Sequence, residues 1–145
     1  MRVFKDKKDF SWEIEVNISA LKRVKSHLDL NLLDLFKQNP ETQKFELLEK
    51  ISEDPILLVD LLFVLCEKQV KERNMSTEDF ANVFSGEVIE NAVNALLYEI
   101  IDFFPETKKA VLKKILDTGK KMQGEAEKLI LEKLDNVNLE QMLKA

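Results

Sequence analysis

The chain has 145 residues, one cysteine and a net charge of −5 at pH 7. A single cysteine cannot form an intramolecular disulfide, and the acidic balance argues against a general affinity for nucleic acid, whose phosphates require a basic surface. The charged first residues lack the apolar stretch of a signal peptide, and no apolar run reaches the roughly 20 residues that span a bilayer. These features predict a cytoplasmic protein that is neither secreted nor inserted in a membrane.

The first predicted element is a β-hairpin within residues 3–16. Trp12, Ile14 and Val16 alternate with Glu13 and Glu15, which is the period of a half-buried strand. The rest of the chain holds only three glycines and three prolines and is rich in Leu, Lys and Glu, a composition that favours helices. We therefore predict a mostly α fold, in which the N-terminal β-hairpin precedes a multi-helix bundle and a C-terminal amphipathic helix.

Three short helices are expected between the hairpin and the centre of the chain. The first is predicted to begin at Ser19 as its N-cap, the second covers about 32–36 and the third about 45–51. Asp54 is then a cap residue followed by a proline, the residue best tolerated at the first helical position. The apolar stretch that begins there predicts one central helix over about 55–73.

A second core helix is predicted just before Pro105. Ser76 and Asp79 form a variant of the capping box, which predicts a short helix, and residues 87–104 then present a wide apolar face. Pro105 enforces the end of that helix because its ring cannot continue the hydrogen-bond ladder. We expect residues 1–105 to form the core domain and residues 106–145 a separate C-terminal amphipathic helical segment.

The segment after Pro105 is amphipathic rather than wholly apolar. Its apolar stripe consists of Val111, Leu112, Ile115, Leu116, Met122, Ala126, Leu129, Ile130 and Leu134. Lysines occupy the opposite side, interrupted by glutamates. Two glycines, Gly119 and Gly124, predict a kink or break between them, because glycine is a poor helix former.

Residues able to carry catalysis or to hold a cofactor are scarce. His27 and Cys66 are too few for a zinc site of the usual kind, and the scattered glycines lack the spacing of a phosphate-binding loop. The remaining acid–base candidates are Asp54, Asp60, Glu99 and Asp102. We interpret the first as a helix cap and the others as solvated edges of buried helices. The sequence therefore predicts no catalytic residues, no cofactor and no metal site, leaving open only a cation held by carboxylates that meet in the fold.

The order of residues along positions 1–105 resembles that of a known family. The features that carry the likeness are Phe4, Asp6 and Trp12, then Leu21, Val24 and Lys25, then DPILLVDLLFVLC, then Glu78, Asp79 and Phe80, then Gly86, Ile89, Glu90 and Ala92, and finally LLYEIIDFFP. In this pattern the chain resembles the small tail assembly chaperones encoded by tailed bacteriophages and phage-like elements. Members of that group bind the helical tape measure protein, keep it soluble, help recruit tail tube subunits and are left out of the virion.

The resemblance implies a non-enzymatic chaperone in the host cytoplasm, absent from the mature virion, with the tape measure protein and tail tube protein as partners. It assigns no binding residues, so the candidate contacts come from the apolar stripe: Val111, Ile115, Met122, Leu129 and Ile130. Such a stripe can pack on the core, pair with a second copy or receive a partner helix. Two alternatives are a structural adaptor of a phage tail-like assembly and a small nucleic-acid-binding regulator that uses the lysine side.

Overall fold

A computed structural model describes residues 2–119 together with Glu125, Lys128 and Leu129. The protein is mostly helical and begins with an antiparallel two-stranded hairpin, which confirms the predicted fold class. The elements are β1 (Arg2–Lys5), β2 (Ser11–Ile14), α1 (Ile18–Leu28), a 3₁₀ helix (Leu32–Phe36), α2 (Glu46–Glu53), α3 (Pro55–Leu65), α4 (Glu67–Glu72), α5 (Thr77–Asn82), α6 (Gly86–Phe103) and α7 (106–119). The chain divides into two units, with the boundary between Pro105 and Glu106.

The hairpin turn is built by the residues that separate the two strands. Asp9 N donates to the carbonyl oxygen of Asp6 (3.0 Å), and Asp9 adopts a left-handed conformation with φ 68°. This combination is usual in three-residue hairpin loops, and aspartate tolerates the left-handed region better than most residues. Lys7 N also donates to the carbonyl oxygen of Val83 (2.9 Å), just after α5. The turn is thereby fixed to the helical part of its unit.

One face of the hairpin belongs to the hydrophobic core. Trp12 and Ile14 are fully buried, whereas Glu13 is exposed, as the alternation predicts. The Trp12 ring packs edge-on against Phe80 of α5, with 5.0 Å between the ring centroids, and Phe63 of α3 approaches the same Phe80 ring at 5.9 Å. The hairpin is therefore held to α3 and α5 by an aromatic cluster, a geometry that adds to the stabilisation from buried area.

The outer edge of β2 is covered by polar side chains that follow α3. Gln69 donates to the Glu13 carbonyl oxygen (2.8 Å) and accepts from Glu13 N (2.9 Å), while Arg73 Nη2 donates to the Ser11 carbonyl oxygen (2.6 Å). Unpaired strand edges invite association with other chains, and here these side chains occupy the backbone groups that a further strand would use. Gln69 and Arg73 thus block the outer edge of β2 against pairing with a further strand.

The central helix is interrupted, contrary to the single helix expected over 55–73. It breaks at Cys66, which has φ −103° and ψ 10°, so that α3 ends at Leu65 and α4 begins at Glu67. The break separates a mostly apolar helix from a polar one, and side chains in and just after the polar helix bond to β2. Contacts with a strand distant in sequence therefore override the continuous helical pattern.

Most helix starts lie at the residues that the capping patterns predict. Asp54 accepts hydrogen bonds from two backbone N–H groups at the start of α3, and Ser76 and Asp79 bond reciprocally in a capping box at the start of α5. The start of α1 differs from the expectation, because Asn17 rather than Ser19 is its N-cap and accepts from Ala20 N (2.8 Å). Asparagine and serine are comparable caps, so the preference of the residues alone does not separate the two positions.

Candidate functional site

The predicted partner-binding residues fall in and beyond α7. Val111 is 57% exposed, Ile115 is 44% exposed and Leu129 is 58% exposed, which is high for large apolar side chains. Met122 and Ile130 lie outside the described residues. Val111 and Ile115 are four positions apart on α7 and therefore share one side of the helix. The structure brings these two residues together, and their role in binding stays a prediction.

The apolar stripe of α7 is divided between buried and exposed positions. Leu112 is buried and Leu116 is half-buried, whereas Val111 and Ile115, each one residue earlier, are exposed. A step of one residue rotates a side chain by about 100° around a helix axis. The side of the stripe that contains Val111 and Ile115 is therefore accessible to solvent. The predicted kink between Gly119 and Gly124 lies almost entirely outside the described residues.

The four carboxylates considered for acid–base chemistry have different surroundings. Asp54 caps α3, Asp60 is exposed, and Asp102 accepts two hydrogen bonds from the Arg2 guanidinium (2.9 and 3.2 Å). Glu99 differs from the solvated edge that the sequence suggested, because it is buried and its Oε1 accepts from Val16 N (3.2 Å). The contact joins α6 to the segment after β2, so it is structural.

Cys66 is buried, as its place in an apolar run predicts. Burial raises the pKa of its thiol to about 12, outweighing the opposite effect of the Arg73 charge. The thiolate is the reactive form, and a free cysteine is half ionised at about pH 8.5.

At that pH we expect the folded protein to react with iodoacetamide at least about a hundredfold more slowly than the same protein unfolded in urea. Mass spectrometry over time measures both rates. Equal rates would show that the thiol is accessible and readily ionised in the folded chain.

A cleft of about 730 Å³ lies between the hairpin and α5, entirely within the Met1–Pro105 unit. Its lining residues come from the hairpin, from the end of α4 and from α5: Asp6, Lys8, Phe10, Trp12, Arg73, Met75, Asp79, Asn82 and Val83. The two walls are joined by the hydrogen bond from Lys7 to Val83 and by the ring contact between Trp12 and Phe80. The cleft is therefore formed before anything binds.

Arg73 is the most distinctive group of this cleft. Its guanidinium carbon lies 4.0 Å from the centroid of the Trp12 ring and 6.0 Å from that of the Phe10 ring. The hydrogen bond from Nη2 to the Ser11 carbonyl oxygen fixes the guanidinium further. In the described part of the chain no carboxylate forms an ion pair with Arg73. The cation is oriented by aromatic rings and a backbone carbonyl, and it retains N–H donors beyond the one bonded to Ser11.

The two carboxylates of the cleft are already engaged. Asp6 is buried, and its oxygens accept from Lys8 N (2.8 Å), Phe10 N (3.1 Å) and Trp12 Nε1 (2.8 Å). Hydrogen bonds from Ser76 lower the pKa of Asp79, and the charge of Lys8 lowers it further. Both groups are acceptors whose donors come from within the chain. Lys8 and Arg73 are the cations of the lining, and Arg73 is the one whose orientation is fixed by rings and a backbone carbonyl.

Sequence reasoning placed Trp12 on one face of a half-buried strand and did not identify the cleft. The cleft brings together positions 6–12, 73–75 and 79–83, and their proximity depends on how the hairpin packs against α5. The single local signal is Phe10, a large aromatic residue immediately after a turn, which is 59% exposed in the structure.

The described residues contain no group of three or more His, Cys, Asp or Glu side chains placed to hold a metal ion. Within the same part of the chain, no helix has both the length and the apolar character required to cross a membrane. Comparison with known proteins gives no match to a family model, to a curated protein or to a solved structure.

Proposed function

We propose that this protein is a non-enzymatic tail assembly chaperone that binds the helical tape measure protein and keeps it soluble in the host cytoplasm until tail tube subunits assemble around it. Two lines of reasoning support the proposal. The order of residues in positions 1–105 resembles that family, and the segment after Pro105 offers an apolar helix surface of the kind that receives a partner helix.

The exposure of Val111 and Ile115 on one side of α7 is the observation that carries the proposal. A helical client with apolar stripes aggregates unless its stripes are covered, and neighbouring exposed side chains of this kind mark protein interaction sites. The acidic net charge of −5 keeps this protein away from the uncharged state that promotes precipitation. The surface and the charge together suit a protein that solubilises a helical partner.

The test is co-expression of the tagged protein with the tape measure protein proposed as its client, followed by affinity capture. Val111→Glu or Ile115→Glu should each reduce the captured client at least about tenfold, because a carboxylate would be buried against an apolar helix without a partner. Ala110→Glu is the matched control, since it adds the same charge at an exposed position of α7 about 100° away from Val111.

Equal capture by Val111→Glu, Ile115→Glu and the unaltered protein would exclude this contact surface. All three variants alter exposed positions, so their thermal unfolding should match that of the unaltered protein. Mass spectrometry of purified particles supplies a separate test of the function. A chaperone is absent from the mature particle, whereas its presence there would identify a structural adaptor instead.

A further inference from the structure

The cleft around Arg73 has the composition of a protein-binding hot spot. It combines Phe10, Trp12, Arg73 and Met75, and aromatic residues, methionine and arginine are the types enriched at protein interfaces. Phe10 is 59% exposed although it is a large aromatic side chain. The cleft volume of about 730 Å³ suits a few side chains of a peptide rather than a whole helix.

We propose that this cleft binds an extended peptide segment of a partner protein in which an acidic side chain stands next to an aliphatic or aromatic one. The carboxylate pairs with the Arg73 guanidinium, and the apolar neighbour packs against Phe10 and Met75. This goes beyond the proposed function, because the cleft belongs to the Met1–Pro105 unit whereas the proposed client surface belongs to α7.

Charge complementarity selects a carboxylate as the anchor. Arg73 has no ion-pair partner among the described residues, and its planar group is held against the Trp12 ring at 4.0 Å. A fixed guanidinium forms paired hydrogen bonds with a carboxylate at little entropic cost. The lining contains two cations, Lys8 and Arg73, and two carboxylates, Asp6 and Asp79, so it has no excess positive charge that would favour a phosphate dianion over a single carboxylate.

The apolar part of the site explains why a free acid is not sufficient. An exposed ion pair by itself contributes little to affinity, since water and salt screen it. A neighbouring apolar side chain that covers Phe10 and Met75 removes apolar surface from water and shields the pair. The site therefore recognises the two side chains as a unit.

The binding test applies the purified full chain to an array of synthetic peptides that present acidic, amide, basic and phosphoserine residues beside aliphatic, aromatic or small polar ones. We expect retention on the peptides that join an acidic to an apolar residue, and loss when an amide replaces the acid. Trp12 is the sole tryptophan and lines the cleft, so its fluorescence reports the affinity of the best peptide in solution. An array without this preference, or a stronger signal from phosphoserine, would overturn the proposal.

Variants assign the binding to the cleft. Arg73→Gln should weaken the best peptide at least about tenfold, and Arg73→Lys should recover part of the loss because it keeps the charge without the paired donors. Arg23→Gln, on an exposed position of α1, removes the same charge elsewhere and should leave the affinity unchanged. Undiminished binding by folded Arg73→Gln would refute the site.

Phe10→Ser provides the second variant, since its exposed ring can be removed without opening the core. We expect it to weaken the same peptide about tenfold through the apolar half of the site. Ile56→Ser removes a comparably exposed apolar side chain outside the cleft and is its control. Equal affinities of the Phe10→Ser and Ile56→Ser proteins would contradict the proposal even if Arg73→Gln failed to fold.

Discussion

Replacing Trp12 with Ala is expected to lower the free energy of unfolding by about 4 kcal/mol. The indole is fully buried, it makes a T-shaped contact with the Phe80 ring at 5.0 Å between centroids, and its ring centroid lies 4.0 Å from the Arg73 guanidinium carbon. Its removal leaves a cavity where the hairpin meets α5, and the hydrogen bond from Lys7 N to the Val83 carbonyl oxygen limits how far the walls can close. Because domains of this size are commonly stable by only about 5–15 kcal/mol, much of the total would be lost.

Urea unfolding followed by far-ultraviolet circular dichroism measures this loss, since the variant has no tryptophan left to report it. Phe10→Ala is the matched control: it truncates a neighbouring aromatic ring that is 59% exposed, and we expect a change below about 1 kcal/mol. A loss of similar size in both variants would contradict the view that the Trp12 ring anchors the hairpin to the core.

The parts of the fold that were predictable are those that depend on neighbours in sequence. The alternation around Trp12 defines the buried face of β2 because side chains of a strand point to opposite sides. Asp54 and Ser76 mark helix starts because a cap bonds to backbone groups only two or three residues away. Such signals act over one or two turns, so the sequence contains everything needed to interpret them.

The break at Cys66 and the burial of Glu99 depend on partners far along the chain. Gln69 and Arg73 bond to β2 residues that precede them by 56 and 62 positions, and Glu99 accepts from a residue 83 positions earlier. An apolar run that continues into a charged one gives no sign of these contacts. A carboxylate in an amphipathic pattern is expected in solvent, whereas a backbone donor inside the fold retains it in the core.

The two candidate surfaces also differ in whether residues close in sequence are enough to predict them. The stripe that contains Val111 and Ile115 follows from helical periodicity, and the structure leaves both side chains exposed. The cleft around Arg73 depends on three separate segments and on an arginine that nothing in its local sequence distinguishes. Its significance comes from the rings that orient it and from the absence of an ion-pair partner for it among the described residues.

Replacing Asp6 with Ala is expected to cost about 3 kcal/mol, because the hairpin turn and the indole lose a shared acceptor. The backbone N–H groups of Lys8 and Phe10 lie at the turn, where water can partly replace the carboxylate, whereas the bond from Trp12 Nε1 is buried. An unpaired buried donor loses its hydration without compensation, and this accounts for most of the expected cost. Asp6→Asn should lose less, since its amide oxygen still accepts a hydrogen bond.

A double-mutant cycle of Asp6→Ala with Trp12→Phe separates the buried bond from the turn. Phenylalanine keeps an aromatic ring in the core and removes the indole N–H, so in its presence Asp6→Ala no longer leaves a buried donor without an acceptor. We expect Asp6→Ala to cost at least about 1 kcal/mol less in the Trp12→Phe background, as measured by urea unfolding followed by circular dichroism. Additive losses would assign the role of Asp6 to the turn alone, and the hairpin would then be held to α5 by ring packing without help from the carboxylate.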